Sequence, residues 1–524
     1  MSPPQAVLLL LHVLQLVRGW AGPLSASEQS SSTELFRARW RPEAGHAVAA
    51  AAQGTFNISK LPSRCSFAVV GAGWGGVYAA WRLGVDTGAI DPAAMCVFEA
   101  NGRVGGRVYS LRGLPDFDDL AIDVGGYRFI ESDLLPAQLV WKALKLPTAC
   151  YDWACSAQCE GANCYVVKDA YGNNFGYSWP VETMLGQLED AGEGQQVFFG
   201  KELTAVLPHK ATDDAPLAHV AGAVVLKFAD GTRVIADKLL LNLPGNAISR
   251  LSPESVLFAD SSPLTSALLN SVTTFSLTKS YAYYDDAWWA TKLGRMQGTF
   301  STSTNSSTNA SASAFALAKL SASVSEGDND VPLEGRYHDG PLKCIIGSDS
   351  AGMPIFSGEK VQFGNCSGAL EVYYSKQVDY YANLMTSPRQ PLTVITRRSA
   401  NAHVLDDVHA QLMSYHKSAL QQKNLDPSLL KPPTVLVIAN WVADADFTPG
   451  IGSLQPATDR ARAAVRKPSS EYNVYIANQD YGYKTGWAAG ALTMSEKVLQ
   501  AHFDLPKPSW LDADWYESNV AARK

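Results

Sequence analysis

Short apolar runs separated by glycine-rich or polar segments begin near residue 67 and predict the first elements of the fold. Phe67–Val70 predicts a buried strand, and 77–83 follows as a helical stretch after a run of glycines. Met95–Phe98 predicts a second strand, which ends at Glu99. The order of strand, glycine turn, helix and strand is typical of an α/β domain.

Apolar strands return further along the chain. The turn dipeptide Asp230-Gly231 lies between two apolar runs and predicts a β-hairpin made of 221–228 and 232–236. Further strands are predicted at 238–243 and 473–477, and a helix is predicted at 486–499. Alternation over 275–284 predicts a strand whose first face carries Phe275, Leu277, Lys279, Tyr281 and Tyr283.

The N-terminus carries an apolar run at 6–17 that is followed by small residues. It is shorter than the ~20 residues that cross a bilayer, and we expect residues 1–22 to be a cleaved secretory signal peptide. Because no Lys or Arg precedes the run, an uncleaved anchor or a plastid-type leader stays an alternative. No transmembrane span is predicted elsewhere. Four sequons fit a secreted or lumenal glycoprotein: Asn57, Asn305, Asn309 and Asn365.

Composition excludes several classes of protein. With 46% apolar and 18% charged residues among 524, the chain is neither disordered nor a coiled coil. A net charge of -7 argues against nucleic acid as a partner. The eight cysteines predict disulfides in an oxidising compartment. The spacing of Cys150, Cys155, Cys159 and Cys164 favours a disulfide-stapled loop over a zinc site. Cys344 and Cys366 are plausible partners for each other. Cys65 and Cys96 are either bonded to each other or buried as free thiols.

The glycines after the first strand form a G-x-G-x-x-G motif. Gly71 permits a tight turn, Gly73 allows the backbone to approach a pyrophosphate, and Gly76 allows close packing of helix and strand. The helix N-terminus then faces the phosphates. Glu99, at the end of the second strand, is placed to accept hydrogen bonds from a ribose.

The run after Glu99 helps to decide which dinucleotide binds. It holds two arginines and further glycines before an Asp-Val-Gly-Gly at 123–126. With these motifs the sequence resembles the flavin-containing amine oxidase family, whose FAD-binding start reads GxGxxG, then E, then GGR. The resemblance implies FAD rather than NAD. It implies cofactor-binding residues Gly71, Gly73, Trp74, Gly75, Gly76, Glu99, Ala100, Arg103, Gly105, Gly106, Arg107, Gly125, Gly126, Tyr127, Leu203, Trp441, Gln479, Trp487 and Ala488. Covalent members use a cysteine near 479–486, and none follows Cys366, so the FAD is expected to be non-covalent.

The same resemblance implies two catalytic residues. Lys279 aligns with the family lysine that holds a water near flavin N5, whereas periodicity alone also allows a lysine at a sheet edge that reaches water. Trp487 aligns with an aromatic wall of the flavin site, and a core tryptophan is the alternative. The sequence departs from the family at Gln479, where an acid is usual and where Asp480 comes one residue later.

The substrate handle is predicted at Arg128, because the pattern G-x-x-R-x-x-E is closest to L-amino-acid oxidases, whose arginine pairs with the substrate carboxylate. A surface or flavin-phosphate salt bridge is the alternative. Of two neighbouring tyrosines, Tyr374 is favoured over Tyr373 as a second substrate contact, with Trp487 as a third. We therefore expect a secreted flavoprotein oxidase that converts an L-amino acid and oxygen into keto acid, ammonia and peroxide. An amine or polyamine oxidase and a non-catalytic flavoprotein are the alternatives.

The expected fold is an α/β, Rossmann-like FAD-binding domain built from discontinuous segments, joined to an α+β substrate domain with a mixed sheet and helices. No metal site is predicted, and the oligomeric state is not predicted. After the signal peptide, residues 23–62 form a lead-in and 506–524 a C-terminal tail. The FAD-binding segments are 63–135, 195–250 and 430–505, and the substrate-domain segments are 136–194 and 251–429.

Overall fold

The structure is a computed structural model that describes residues 61–521 with internal gaps. The gaps fall at 113, 115–120, 131, 151–163, 168–173, 211–219, 260–261, 296–297, 303–330, 338, 347–355, 358–359, 362, 377–378, 386–390 and 443–449.

The described strands, in chain order, are β1 Arg64–Cys65, β2 Phe67–Val70, β3 Met95–Phe98, β4 Ser110–Leu111, β5 Ile122–Asp123, β6 Phe129–Ile130, β7 Thr148–Cys150, β8 Cys164–Val167, β9 Val197–Phe198, β10 Leu203–Pro208, β11 Val224–Phe228, β12 Arg233–Ala236, β13 Leu239–Leu241, β14 Val272–Phe275, β15 Leu277–Tyr284, β16 Thr299–Ser301, β17 Glu334–Arg336, β18 Leu342–Ile346, β19 Phe356–Ser357, β20 Lys360–Val361, β21 Phe363–Ser375, β22 Leu392–Thr396, β23 Val435–Trp441, β24 Ile451–Leu454 and β25 Val474–Ile476.

The described helices are α1 Trp74–Trp81, α2 Leu134–Gln138, α3 Trp179–Ala191, α4 Gly245–Ser249, α5 Val256–Ala259, α6 Pro263–Leu269, α7 Trp288–Thr291, α8 Asp379–Ala382, α9 His403–Gln422, α10 Asp459–Arg466, α11 Ala488–Phe503 and α12 Ala513–Tyr516. Wider helical turns extend α1 over Arg82–Asp86, α2 over Leu139–Ala143 and α12 over Glu517–Ala521, and 3₁₀ turns lie at Pro92–Ala94, Pro427–Leu429 and Gln479–Tyr481. None of the described helices is long and apolar enough to cross a membrane.

A parallel sheet forms the centre of the nucleotide-binding part. Its strands lie in the order β25-β13-β2-β3-β9, and each neighbouring pair is parallel. Every residue of β2, β3, β13 and β25 is buried, which explains why these strands appear in the sequence as continuous apolar runs. α1 packs against both α3 and α11. The predicted α/β fold is confirmed, whereas the division into domains stays a prediction.

A disulfide crosses the beginning of this sheet. Cys65 in β1 and Cys96 in β3 are bonded, with their Cα atoms 5.9 Å apart. The alternative of two buried thiols is therefore wrong. The bond closes a loop with a sequence separation of 31, and that loop contains the whole glycine turn and α1.

The predicted hairpin is confirmed as the antiparallel pair β11 and β12. Its first strand begins three residues later than predicted, at Val224, because Gly222 adopts a positive φ of 79° and belongs to a turn. β10 pairs with β11, and β1 pairs with β12, so these strands form a separate sheet.

A large antiparallel sheet carries the predicted lysine strand. Its order is β16-β17-β21-β15-β23-β22, with β18 also paired to β21. Tyr281 and Tyr283 on one face of β15 pack with residues of β5, whereas Ala282 and Tyr284 on the other face pack with α9. The predicted alternation is confirmed from Leu277 onward. The predicted strand start was wrong, since Phe275 belongs to β14, which pairs with β24 instead.

Candidate active site

The glycine turn after β2 leaves no room for a side chain at Gly71 or Gly76. Gly71 has a φ of 100°, and a Cβ at Gly76 would lie 2.2 Å from the Gly71 carbonyl oxygen. α1 begins directly afterwards at Trp74, with no acidic residue in its first turn and no side-chain cap on its N-terminus. The backbone N–H groups of this turn therefore form a site suited to phosphate oxygens.

Glu99 lies at the end of β3 beside this turn. Its carboxylate accepts hydrogen bonds from the backbone N–H groups of Ala72 and Asn101, both at 2.9 Å. Burial raises the pKa of Glu99, and these two hydrogen bonds oppose that shift. Each carboxylate oxygen retains a second lone pair, so Glu99 can hold the turn in place and still accept a hydrogen bond from a sugar hydroxyl.

A second glycine loop lies directly against the first. The N–H of Gly105 donates to the Ala72 carbonyl at 2.8 Å, and a Cβ at Gly106 would lie 3.3 Å from the Cα of Gly73. The structure thus brings the two motifs into one cradle lined by backbone. Arg103 lies in the same loop, with its guanidinium carbon 4.2 Å from the ring centre of Tyr109. Burial lowers the pKa of Arg103.

Arg107 connects this cradle to the C-terminal part of the chain. Its guanidinium forms an ion pair with Asp480 at 2.7 Å and donates to the Asn478 side chain at 3.2 Å and the Gly450 carbonyl at 2.9 Å. The Asp480 side chain is fully buried and also accepts from the Gly245 N–H at 3.0 Å. Asp480 is therefore held by the protein itself.

Gln479 occupies the position where the resembled family usually has an acid. Its amide nitrogen donates to the Gly452 carbonyl at 2.9 Å, and its amide oxygen accepts from the Gly486 N–H at 3.0 Å. The shift of the carboxylate by one residue thus changes what the acid contacts. Asp480 neutralises Arg107, and Gln479 fixes the segment before α11.

Lys279 points into the interior between the sheet and the cradle. It is 1% exposed and lies on β15, which is paired on both sides, so the alternative of a lysine at a sheet edge is wrong. Its Nζ donates to the Gly125 carbonyl at 3.0 Å and lies 4.0 Å from the ring centre of Tyr127. Burial lowers the pKa of Lys279 to about 8.

The predicted substrate residues surround this lysine. Tyr374 lies opposite Lys279 in the register of β15 and β21, with its ring centre 5.3 Å from Nζ. The Arg128 guanidinium carbon lies 5.3 Å from the ring centre of Tyr127 and 5.8 Å from that of Trp487. The structure therefore brings Arg128, Lys279, Tyr374 and Trp487 together, while their roles stay predictions.

Tyr373 points away from this site. It packs with the aromatic cluster on the other face, with its ring centre 4.8 Å from that of Tyr381. The preference for Tyr374 as the inward residue is thus consistent with the structure.

Other predicted cofactor residues line the same region. The Trp441 indole N–H donates to the Val124 carbonyl at 2.9 Å, next to Gly125 and Gly126. Leu203 begins β10, two residues after Lys201, whose N–H donates to the Glu99 carbonyl at 2.9 Å. Trp487 caps the N-terminus of α11, which begins at Ala488 and has no acidic residue in its first turn. Ala100 follows Glu99 between the two glycine motifs.

Three charged residues near Lys279 were not predicted from the sequence: Arg336, Asp339 and Glu371. Glu371 is fully buried on β21, and its carboxylate accepts a hydrogen bond from Tyr281 at 3.0 Å. Arg336 lies over the ring of Tyr374 at 4.4 Å and pairs with Asp339 at 3.3 Å. The one available signal was Glu371 itself, since a glutamate within an apolar strand is rarely buried without a partner.

Several predictions fall on parts of the chain that the structure does not describe. The signal peptide 1–22, Cys155, Cys159 and the sequons at Asn57, Asn305 and Asn309 lie outside the described residues. The stapled loop and the glycosylation of Asn365 also stay predictions. Cys366 is disulfide-bonded, and the residue opposite it in the register of β18 and β21 is Cys344.

Comparisons with known proteins bear on the fold around this site. Residues 69–144 match the family of NAD(P)-binding Rossmann-like domains, which confirms the predicted dinucleotide-binding fold. Among solved structures, the chain is similar to a putrescine oxidase variant with redesigned cofactor binding, at 14% identity and a TM-score of 0.48, over 83% of this chain and 98% of that chain. It is also similar to wild-type putrescine oxidase bound to putrescine, at 14% identity and a TM-score of 0.47, over 82% and 97% of the two chains. No curated protein matches the sequence.

Proposed function

We propose that the chain is an FAD-dependent oxidase that acts on the carbon–nitrogen bond of an L-amino acid and uses molecular oxygen as the second substrate. The observation that supports this proposal is that Arg128, whose guanidinium has the geometry to pair with a carboxylate, and the buried Lys279 both lie against Tyr127 beside the dinucleotide cradle. The products would be an imine that water converts to keto acid and ammonia, together with hydrogen peroxide.

The residues present fit a non-covalently bound FAD. The glycine turn and the N-terminus of α1 would hold the pyrophosphate, and Glu99 would hold the ribose. A side chain at Gly73 or Gly76 would fill this cradle, since a Cβ there would lie 3.0 Å from the Asn242 side chain or 2.2 Å from the Gly71 carbonyl. Arg107, held by Asp480, would keep the cradle in place against the C-terminal part of the chain. When bound, the flavin supplies the electron-accepting chemistry.

Arg128 would bind and orient the substrate. A guanidinium next to the Trp487 ring presents a planar set of donors to a carboxylate, and Tyr374 offers a hydroxyl at the same site. This would direct the carbon–hydrogen bond of the amino acid toward the cradle. The rings of Tyr127 and Trp487 would exclude water from the substrate.

Lys279 would hold and move a proton at Nζ. Because burial lowers its pKa to about 8, Nζ is mostly charged at pH 7, where about a tenth of it is the neutral amine that can take up a proton. Oxidation of an amine requires its neutral form, so a buried base that can take up a proton is useful beside the substrate. The main-chain carbonyl of Gly125 and the ring of Tyr127 keep Nζ in place.

Peroxide release tests the proposal. Purified protein is assayed with the twenty L-amino acids and, in parallel, with primary amines and polyamines including putrescine. We expect activity on at least one L-amino acid. Arg128→Ala and Arg128→Lys should raise KM for that amino acid about 10- to 100-fold, since a charge-assisted hydrogen bond contributes about 1.5–3 kcal/mol. Arg398→Ala is the matched control, because Arg398 is exposed on a turn.

The other outcomes separate the alternatives. Activity on amines that survives Arg128→Ala would replace the amino acid with an amine as substrate. A yellow protein that oxidises neither class would favour the non-catalytic flavoprotein.

Passage through the secretory pathway is proposed as well, supported by the Cys65–Cys96 disulfide. N-terminal sequencing of the mature protein tests it, and a start after residue 22 is expected.

A further inference from the structure

A row of ionisable side chains runs across the large sheet on the face that carries Lys279. Tyr281 of β15 is the register partner of Glu371 on β21, and Glu371 is the register partner of Arg336 on β17. Tyr281 and Glu371 are almost fully buried, at 1% and 0% exposed. The reaction proposed above gives no role to Tyr281, Glu371 or Arg336.

The row is connected to Lys279 by hydrogen bonds. Lys279 Nζ lies 3.4 Å from the Tyr281 hydroxyl, and that hydroxyl lies 3.0 Å from a carboxylate oxygen of Glu371. Asp339 lies beside Glu371, since Asp339 pairs with Arg336 at 3.3 Å and Arg336 is the register partner of Glu371. The Asp339 side chain is fully buried as well. A continuous path of polar atoms therefore leads from Lys279 to a pair of carboxyl groups.

The two carboxyl groups require a proton between them. Among the described residues, no side chain or backbone group donates to the second carboxylate oxygen of Glu371, which is fully buried. Burial and the negative charge of Glu371 raise the pKa of Asp339 well above its usual range. A proton on Asp339 satisfies this contact, because two ionised carboxylates side by side in the interior would repel each other.

We infer that Tyr281, Glu371 and Asp339 form a buried proton path that begins at Lys279. This inference gives the proposed oxidase function its proton route and rests on that function for its purpose. Lys279 is the group that meets the substrate, while Tyr281 and Glu371 act through it as positioning residues.

The proton step is balanced within the protein. The Lys279 ammonium gives one proton to the Tyr281 hydroxyl, which gives its own proton to the Glu371 carboxylate. Lys279 becomes a neutral amine, Tyr281 remains a phenol, and Glu371 becomes a carboxylic acid. The reverse step returns the proton to Lys279.

Other charged and titratable groups act on Lys279 from the surrounding elements. Glu371 and Asp123 favour its charged form, whereas Arg336 and Arg128 oppose it. Among the residues that the structure describes, the other ionisable groups that act on this cluster are Tyr127, Glu334, Asp339 and Tyr374. Glu371 is the largest electrostatic influence that favours the charged lysine, so its removal should be visible directly at Lys279.

NMR of the purified, FAD-bound protein with ¹³Cε-labelled lysine tests the path without any substrate. The Lys279 signal is identified by its loss in Lys279→Met, and its pKa is titrated in each variant. Glu371→Gln should lower that pKa by at least one unit. Asp339→Asn should leave it within about 0.3 units, because a protonated carboxyl and an amide are both neutral. Equal shifts in both variants, or none in Glu371→Gln, would overturn the proposal.

Tyr281→Phe tests the link itself, because it removes the hydroxyl and keeps both charges. It should leave the pKa of Lys279 within about 0.3 units and slow substrate-driven bleaching of the flavin at least 10-fold, with a changed solvent deuterium isotope effect. Tyr283→Phe is the matched control on the same face of β15 and should change neither quantity. Equal rates in the two phenylalanine variants would overturn the path. If no substrate bleaches the flavin, the proposed function fails. The NMR titration still tests whether Glu371 raises the pKa of Lys279.

Discussion

Replacing Lys279 with Met is expected to change how the stability of the protein depends on pH. Lys279 is 1% exposed, and its nearest partners are two carbonyl oxygens, the ring of Tyr127 and the hydroxyl of Tyr281. These neutral groups do not compensate fully for the loss of water around an ammonium. Burial therefore lowers the pKa of Lys279 from 10.5 to about 8 in the folded protein.

The direction and size of the change in stability with pH follow from this pKa shift. Because the folded pKa is depressed, the unfolded chain binds more protons than the folded chain between about pH 8 and 10.5, and stability rises with pH in that window. Well below pH 8 the charged lysine lowers the stability by about 3.5 kcal/mol relative to a neutral one, at about 1.4 kcal/mol for each pKa unit between 10.5 and 8. Between pH 7 and pH 9.5 the wild type should gain about 2 kcal/mol from this residue alone.

Urea unfolding at several pH values, with saturating FAD, measures this gain. The quantity of interest is the difference in unfolding free energy between wild type and Lys279→Met, because the other titrating groups are common to both proteins and cancel. That difference should move in favour of the wild type by about 2 kcal/mol from pH 7 to pH 9.5. A difference that stays constant over this range would refute the claim that burial lowers the pKa of Lys279.

Three further substitutions test the cradle and its supports. Gly76→Ala should abolish FAD retention on gel filtration, since its Cβ would lie 2.2 Å from the Gly71 carbonyl, whereas Gly194→Ala, with nothing within 4 Å, should retain it. Asp480→Asn should destabilise the protein by about 3 kcal/mol in urea, because it leaves the Arg107 charge without its buried partner; an unchanged midpoint would contradict the role given to Asp480. Cys65→Ser should lower stability by about 3–4 kcal/mol under non-reducing conditions, as expected for a closed loop of this length. A loss of stability equal to that of the reduced wild type would support the stabilising role of the Cys65–Cys96 disulfide, and no loss would contradict it.

The nucleotide-binding half could be predicted because its residues act locally. Gly71 and Gly76 are needed within one turn, and the apolar runs of β2 and β3 bury every side chain, so neighbouring sequence is sufficient. The inward position of Lys279 was predicted only with the help of the family resemblance. Alternation put it on the same face as Tyr281 but left a lysine at a sheet edge open, and the structure buries it.

The charged cluster around Lys279 could not be predicted in the same way. Tyr281, Glu371 and Arg336 meet because β15, β21 and β17 pair, and the register includes an irregularity between Ser280 and Tyr281. A one-residue difference in that register would send Glu371 to the opposite face. The pairing of Arg107 with Asp480 likewise joins residues that are far apart in the sequence and meet only in the folded chain.

An anaerobic titration of the flavin spectrum tests the central proposal most directly. Purified, FAD-bound protein is mixed under argon with L-amino acids, and in parallel with D-amino acids and with amines such as putrescine. The proposed function predicts that the oxidised flavin bands bleach with at least one L-amino acid and return on admission of oxygen, and that Arg128→Ala needs a much higher concentration of that amino acid. Bleaching by amines alone, with an Arg128→Ala variant that behaves like the wild type, would contradict it.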